Sequence, residues 1–168
     1  KKFLNEKFPK ISFKEAMLKY GTDKPDLRNP LEINDVTSIF KRDDVTFQIF
    51  NKLVKSGSIV RAIVTKNTKN KPRSFFDNLD KWAKSEGTSG LAYFTLEKNK
   101  DFEATGPVGK FFSSEALKEI MKITGAEVGD SIFFSCDKES NVLQFMSSAR
   151  DKIAGELNLI DQNTYAFC

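Results

Sequence analysis

The sequence predicts an α+β fold, a two-layer sandwich in which one mostly antiparallel sheet carries its helices on one face. The predicted order is strand, strand, helix, strand, short strand, helix, strand, helix. Strands grouped in pairs between helices suit that class. Sixteen phenylalanines among 168 residues supply apolar bulk for its core. Residues 45–50 alternate apolar and polar, residues 58–65 form a second apolar run, and Ser56-Gly57 turns the chain between them. The two runs read as an antiparallel hairpin. At this length the chain holds one domain with a core of its own, or one domain plus an appendage.

Taken in order, Ser12 followed by Glu15 is a capping box that opens a helix through Lys19. Phe13, Ala16, Met17 and Tyr20 share one face of it, and Gly21 ends it. Residues 20–30 suit neither a helix interior nor a central strand, because Pro25 and Pro30 fix φ and remove donors. Thr22, Asp23 and Asp26 bond their own backbone in such settings, so an ordered loop with charged heads on a rigid backbone is predicted. Residues 31–33 read as extended, and Asn34 or Asp35 caps one helical turn through Phe40. In 45–50, Val45, Phe47 and Ile49 face one side, as in a half-buried strand. The strand 58–65 carries a single Arg61 among apolar residues.

Ser74 with Asp77 opens a helix to Glu86, and Phe75, Leu79, Trp82 and Ala83 form its apolar stripe, which places Trp82 in the core. Residues 91–96 are a strand, 102–104 a returning edge strand, and 108–112 a short extended piece carrying Lys110. Ser113 or Ser114 caps a helix over 115–124, with Ala116, Leu117, Ile120 and Met121 inward and Gly125 as its left-handed stop. Residues 131–136 are a buried strand. Ser140 or Asn141 caps the last helix, whose stripe is Leu143, Met146, Ala149, Ile153 and Leu157. Gly155 costs that helix about 1 kcal/mol relative to alanine.

Lysine and arginine total 27 against 23 acids, a net charge of +4, and there is no histidine. The mild basic balance suits a polyanionic partner without requiring one. Without histidine, no Ser/His/Asp or Cys/His arrangement and no histidine-held zinc site exists. No glycine loop of the phosphate-cradling kind is present. Asp130 and Asp137 are lone acids without paired-carboxylate spacing. Cys136 and Cys168 have neither metal-ligand nor redox spacing, so no metal and a reducing cytoplasm are expected. No apolar run has membrane-spanning length. A start at Lys1-Lys2 and a finish at Tyr165-Ala166-Phe167-Cys168 read as a piece cut from a longer chain. Lys66, Lys69, Lys71 and Arg73 lie in one loop with no acid among them. That loop reads as solvated, or as a phosphate-backbone contact driven by counterion release.

Tyr20-Gly21-Thr22-Asp23-Lys24-Pro25-Asp26-Leu27-Arg28 resembles the run at which bacterial-type aspartyl-tRNA synthetases pass from the catalytic domain into a large insertion. Phe8-Pro9-Lys10-Ile11-Ser12-Phe13-Lys14-Glu15-Ala16 is similar to the helix start before it. Gly90-Leu91-Ala92-Tyr93, Gly106-Pro107-Val108-Gly109-Lys110-Phe111 and Gly129-Asp130-Ser131-Ile132-Phe133-Phe134 are similar to marks of that insertion, the GAD domain. The resemblance covers nearly the whole chain in the family's order.

It implies a helix-on-sheet insertion domain over 31–162, a strip of catalytic domain over 1–30 and a return toward it over 163–168. It implies a parent aspartate–tRNA ligase that uses ATP and Mg²⁺ and dimerises through its catalytic domain. The family's Phe-Arg-Asp-Glu and Gly-Leu-Asp-Arg signatures are absent, so this piece is expected to be inactive, with no cofactor and no catalytic residue. What remains for it is support of, or contact with, the tRNA acceptor arm, through backbone rather than bases. Lys66, Lys69, Lys71, Arg73 and Lys110 are contact candidates by charge and loop context, and Lys24 and Arg28 by residue-for-residue match. Asp23, Pro25 and Asp26 are structural in the loop. The alternatives are a non-catalytic α+β protein-interaction module, or the insertion domain of a tRNA-dependent amidotransferase subunit. The run 20–28 argues against the latter.

Overall fold

The computed structural model describes residues 2–3, 10–160 and 162–165, with the backbone alone at 2–3 and 164–165. The Phe8-Pro9 start of the second run and the last three residues lie outside the described residues. Strand β1 (Lys2–Phe3) pairs parallel with β7 (Thr164–Tyr165), apart from the main sheet. Helix α1 (Phe13–Tyr20) begins as its sequence dictates: the Ser12 hydroxyl accepts the Glu15 N–H at 3.1 Å, and Gly21 closes the helix at φ 69°. Ala16 is its buried residue, whereas Phe13 is 71% exposed, so the predicted inner face holds only in part.

The main sheet is built from β2 (Ile33–Asp35), β3 (Ile59–Thr65), β4 (Ala92–Lys98), β5 (Phe102–Thr105) and β6 (Ser131–Asp137). Their spatial order is β2-β3-β6-β4-β5, and all neighbours are antiparallel. The central ladder pairs β3 with β6 along its full length, from Ile59 opposite Asp137 to Thr65 opposite Ser131. Side chains alternate across it. Val60, Ala62, Phe94, Ile132 and Phe134 face one side, and Ile63 and Phe133 face the other.

Both faces are covered. Helices α2 (Gln48–Lys55) and α4 (Ser114–Thr124) pack on the first, together with the 3₁₀ turn Thr37–Lys41. Helices α3 (Arg73–Ser85) and α5 (Glu139–Glu156) pack on the second. The α+β class and the antiparallel sheet are as read, but the helices do not lie on one face. The cause is visible in Ile132-Phe133-Phe134, where consecutive apolar residues leave neither side of the central strand fit for water. Phe40, Phe94, Phe112 and Phe134 interlock on the first side, with ring centroids 4.9–6.1 Å apart.

The predicted strand over 45–50 is not formed. Val45 makes one isolated bridge to Phe112, and α2 starts three residues later. A short alternating run fits either period. Here Phe50 and Val54, spaced by four, enter the core, while Ile49 is 64% exposed. The Asn51 side-chain amide donates to the Val45 carbonyl at 2.7 Å and holds the start of the helix. The hairpin therefore does not exist, and β3 finds its partners in β2 and β6. The piece 108–112 is a 3₁₀ turn, Gly109–Phe111, rather than extended. Helix α3 starts after Pro72 and α5 after Lys138, with no side-chain cap from Ser74, Ser140 or Asn141. Trp82 is half-buried and stacks on Phe145 at 5.7 Å, so it packs against the core from its edge rather than within it.

Asp44, between the 3₁₀ turn Thr37–Lys41 and α2, ties that distant loop to the start of α4. It accepts from Arg42 Nε at 2.8 Å and from the Ser113 hydroxyl at 2.5 Å, while Ser113 caps α4 through the Ala116 N–H. The Arg42 guanidinium first, then the Ser113 hydroxyl, hold the Asp44 carboxyl well below the usual carboxylate range. A carboxyl depressed in the folded state contributes stability above its unfolded pKa and loses it as pH falls. Asp44→Asn is therefore expected to lower the thermal midpoint at pH 7, with the gap to the parent narrowing below about pH 4; scanning calorimetry against pH checks it. Gly155 is helical, and a methyl group there meets nothing within 4 Å. Gly155→Ala is expected to add about 0.5–1 kcal/mol in denaturant titration.

Candidate nucleic-acid interface

The loop over 20–30 owes its shape to one residue on a distant helix. Arg150 of α5 is 1% exposed. Its Nε donates to the Leu31 carbonyl at 2.5 Å, and one Nη donates to the carbonyls of Asn29 at 2.6 Å and Asp26 at 3.0 Å. The Tyr20 ring lies 4.7 Å from the guanidinium carbon. Asn29, also buried, returns the contact. Its Nδ2 donates to the Arg150 carbonyl at 3.1 Å, and its Oδ1 accepts the Leu31 N–H at 3.0 Å. Burial pulls the Arg150 pKa down from the ordinary arginine value, and the group stays charged because guanidinium does not deprotonate in proteins. Three carbonyl dipoles replace the water it has lost.

On this frame Pro25 is buried, Asp23 and Lys24 are exposed, and Asp26 grips Arg28. The two make a fork, Nε to Oδ1 at 2.9 Å and Nη2 to Oδ2 at 2.6 Å. The Arg28 hydrogen bonds hold the Asp26 carboxyl below its ordinary pKa.

The basic loop after β3 is fixed by a buried acid. Asp130, 1% exposed, accepts the Asn67 N–H at 2.9 Å, the Glu127 N–H at 2.8 Å and Lys66 Nζ at 2.9 Å. Asn67 takes a left-handed φ of 54°, which asparagine tolerates better than most residues. The Thr68 hydroxyl sits within 2.6 Å of the Thr65 hydroxyl and 2.8 Å of the Ser131 hydroxyl. Lys69 pairs with Glu97 at 2.9 Å, and Arg73 reaches Asp77 at 3.5 Å. Lys71 lies over the Phe75 ring at 5.9 Å and meets no carboxylate among the described residues. Lys110 caps the Phe111 ring at 5.2 Å, in the 3₁₀ turn on the other side of the sheet.

The structure thus brings Lys66 and Lys71 together with Pro30, Leu31, Glu32 and Asn34 around one cavity, where β2 begins and β3 ends. Lys24, Arg28 and Lys110 do not line it. Asp130 is an organiser of backbone, not a free acid. Among the described residues, no group of three or more acids and cysteines is placed to hold a metal ion. Burial first, then Asp137, push the Cys136 thiol up to about 11, which leaves it a poor nucleophile. No helix of the described residues is long and apolar enough to cross a membrane.

Sequence reasoning missed Arg150 and Asn29. The pointer to Arg150 was its phase: residues 143, 146, 150, 153 and 157 follow the three-four spacing of the inner stripe, with a cation at its middle. Asn29 carried no comparable pointer.

Backbone-holding polar groups, paired surface cations and a part-basic cavity are carried on an antiparallel α+β sandwich. The chain belongs to the GAD domain family, whose model matches residues 50–146. It is 71% identical over 168 residues to the aspartate–tRNA(Asp/Asn) ligase of Pelagibacter ubique (strain HTCC1062), covering 100% of this chain and 28% of that protein. It is 47% identical over 167 residues to the protein of that name from Ehrlichia chaffeensis (strain ATCC CRL-10679 / Arkansas), covering 99% of this chain and 28% of that one. The Beijerinckia indica protein of the same name is 44% identical over 166 residues, covering 98% and 28%. The chain therefore spans little more than a quarter of the length of these curated relatives.

Arg150→Met is expected to lower the unfolding free energy by about 3 kcal/mol or more, because buried carbonyls lose their donors. Arg150→Lys should recover only part of it, since an ammonium lacks the planar fork. Denaturant titration measures both, and a lysine variant as stable as the parent would remove the fork from the account.

Proposed function

We propose that this chain is the insertion-domain piece of an aspartate–tRNA ligase, an enzyme that uses ATP and Mg²⁺ to attach aspartate to tRNA. The observation that carries this is similarity along its whole length to proteins of that name, of which it spans 28%. The bond-making groups lie in the rest of that protein, and this piece supplies shape and positive charge near the acceptor arm. Residues 1–30 and 163–168 belong to the catalytic domain and 31–162 to the insertion, a division that the parallel pairing of β1 with β7 supports. The parent works in the cytoplasm and dimerises through its catalytic domain. The relatives' names carry both tRNA(Asp) and tRNA(Asn), which supports a parent that charges both.

Lys66, Lys69, Lys71 and Arg73 form the main contact set, Lys110 and the Lys24–Arg28 loop a second. They meet phosphate rather than base edges, so they position the RNA without reading it. Lys71, with no carboxylate partner among the described residues, is the cation most available for this.

In the intact ligase, Lys69→Glu combined with Lys71→Glu is expected to raise KM for tRNA by about three- to tenfold and to lessen its salt dependence. ATP–pyrophosphate exchange without tRNA should keep the parent's rate, and the isolated 168-residue chain should show none. An unchanged tRNA KM would count against the contact, and exchange by the isolated chain would overturn the division of labour.

A further inference from the structure

Nine polar or charged side chains are buried among the described residues; five of them hold the wall of one cavity, and a sixth, Thr68, is part of that wall. Arg150 and Asn29 fix Leu31 through its carbonyl and its N–H. Asp130 fixes Lys66 and Asn67. Thr65 and Ser131 fix Thr68. Leu31, Lys66, Asn67 and Thr68 all line the cavity, whose volume is about 480 Å³. Burying polar groups is costly unless each is satisfied, and a satisfied network rigidifies what it touches. Three such networks converging on one opening make its walls preorganised, which lowers the entropy lost on binding.

The lining chemistry names the class of ligand. Val64, Leu157 and Leu159 offer an apolar wall, and Leu159 is 37% exposed. Asn34 and Asn67 bring side-chain amides, which both donate and accept. Lys71 stands at the cavity without a carboxylate partner among the described residues. Glu32, exposed, is the single acid of the lining and an acceptor for a hydroxyl or an amino group. An apolar wall for a flat ring, amides for its edge, a cation for an anion and an acceptor for a sugar hydroxyl match a nucleoside phosphate unit. The volume suits one such unit and excludes a base pair, and edges open to amides belong to unstacked nucleotides.

We propose that this cavity binds one unpaired ribonucleotide, with its base against Val64 and Leu159, its edge toward Asn34 and Asn67, and its phosphate on Lys71. This rests on the reading that the basic loop contacts RNA, and it deepens that reading from backbone contact to capture of a single unpaired nucleotide. The same unit is presented by a single-stranded RNA tail or by a free nucleoside monophosphate.

The test uses the ¹⁵N-labelled 168-residue chain and four probes: an RNA hairpin with a four-nucleotide single-stranded tail, the same hairpin blunt, 5′-AMP and 5′-CMP. The tailed hairpin is expected to bind about tenfold tighter than the blunt one, the scale of one base packed on a protein wall. The amide signals of Asn67, Thr68 and Leu157 should move with it and stay still with the blunt hairpin. Lys71→Ala should weaken the tailed hairpin by about threefold or more. Val64→Phe fills the cavity and should erase the preference for a tail. Leu159→Glu sets an acid at the rim without disturbing the core and should erase it too, should Val64→Phe fail to fold. A mononucleotide that moves the same signals as tightly as the tailed hairpin supports the cavity and assigns it to free nucleotides. Equal affinity for tailed and blunt hairpins with unmoved cavity signals overturns the inference and leaves the backbone contact standing. No affinity for either hairpin overturns both.

Discussion

One buried cation holds two parts of this chain in a fixed relation. Arg150 sits within the apolar face of α5 and spends its donors on the main chain of residues 26, 29 and 31. A guanidinium out of water is costly, and carbonyl dipoles compensate only when several converge with good geometry. A loop with two prolines has few donors of its own to satisfy, so its carbonyls are free to converge. The arginine needs an inflexible acceptor set and the proline-rich loop needs an external donor; each supplies what the other lacks. The loop, remote from α5 in sequence, therefore moves with the five-stranded sheet on which α5 lies.

Asp130 repeats the device with the opposite charge. It gathers the N–H groups of two different loops, and Lys66 neutralises it at the surface. Arg61 shows the less complete version: it pairs with Asp35 at 2.5 Å, but its buried Nε has no hydrogen-bond partner. Between these polar anchors the sheet is apolar on both faces, and phenylalanine rings fill each side. The apolar layers bury most of the hydrophobic surface, while the anchors tie the loops to them. The cations of the basic loop are mostly paired at the surface, where each pair contributes little, so their placement matters more for a partner than for folding.

Much of this was legible in the sequence. Caps at Ser12 and Ser113, left-handed stops at Gly21 and Gly125, and strands β3, β4 and β6 follow from local chemistry that tertiary context did not override. The stretch over 45–50 failed because six residues do not distinguish a period of 2 from one of 3.6, and the choice fell to Phe50 and Val54 meeting the sheet. The one-face expectation failed for a related reason: strand patterns were read for alternation, while Ile132-Phe133-Phe134 has none. The basic loop was visible as a run of charge, and the i,i+4 pair of Arg73 with Asp77 lay in its spacing, but the pairing of Lys69 with Glu97 and of Lys66 with Asp130 depends on chain crossings that the sequence does not display. Arg150 stood in plain view on the apolar phase of a helix, and its partners 119 to 124 positions away did not.

The chain has one tryptophan, and its position gives it a use. Trp82 on α3 lies flat against Phe145 on α5, half-open to solvent, on the face of the sheet opposite α2 and α4. Its fluorescence therefore watches a single event, the seating of these two helices on each other. Emission and far-ultraviolet dichroism followed together during unfolding report, without any added label, whether that contact and the helices are lost in one transition.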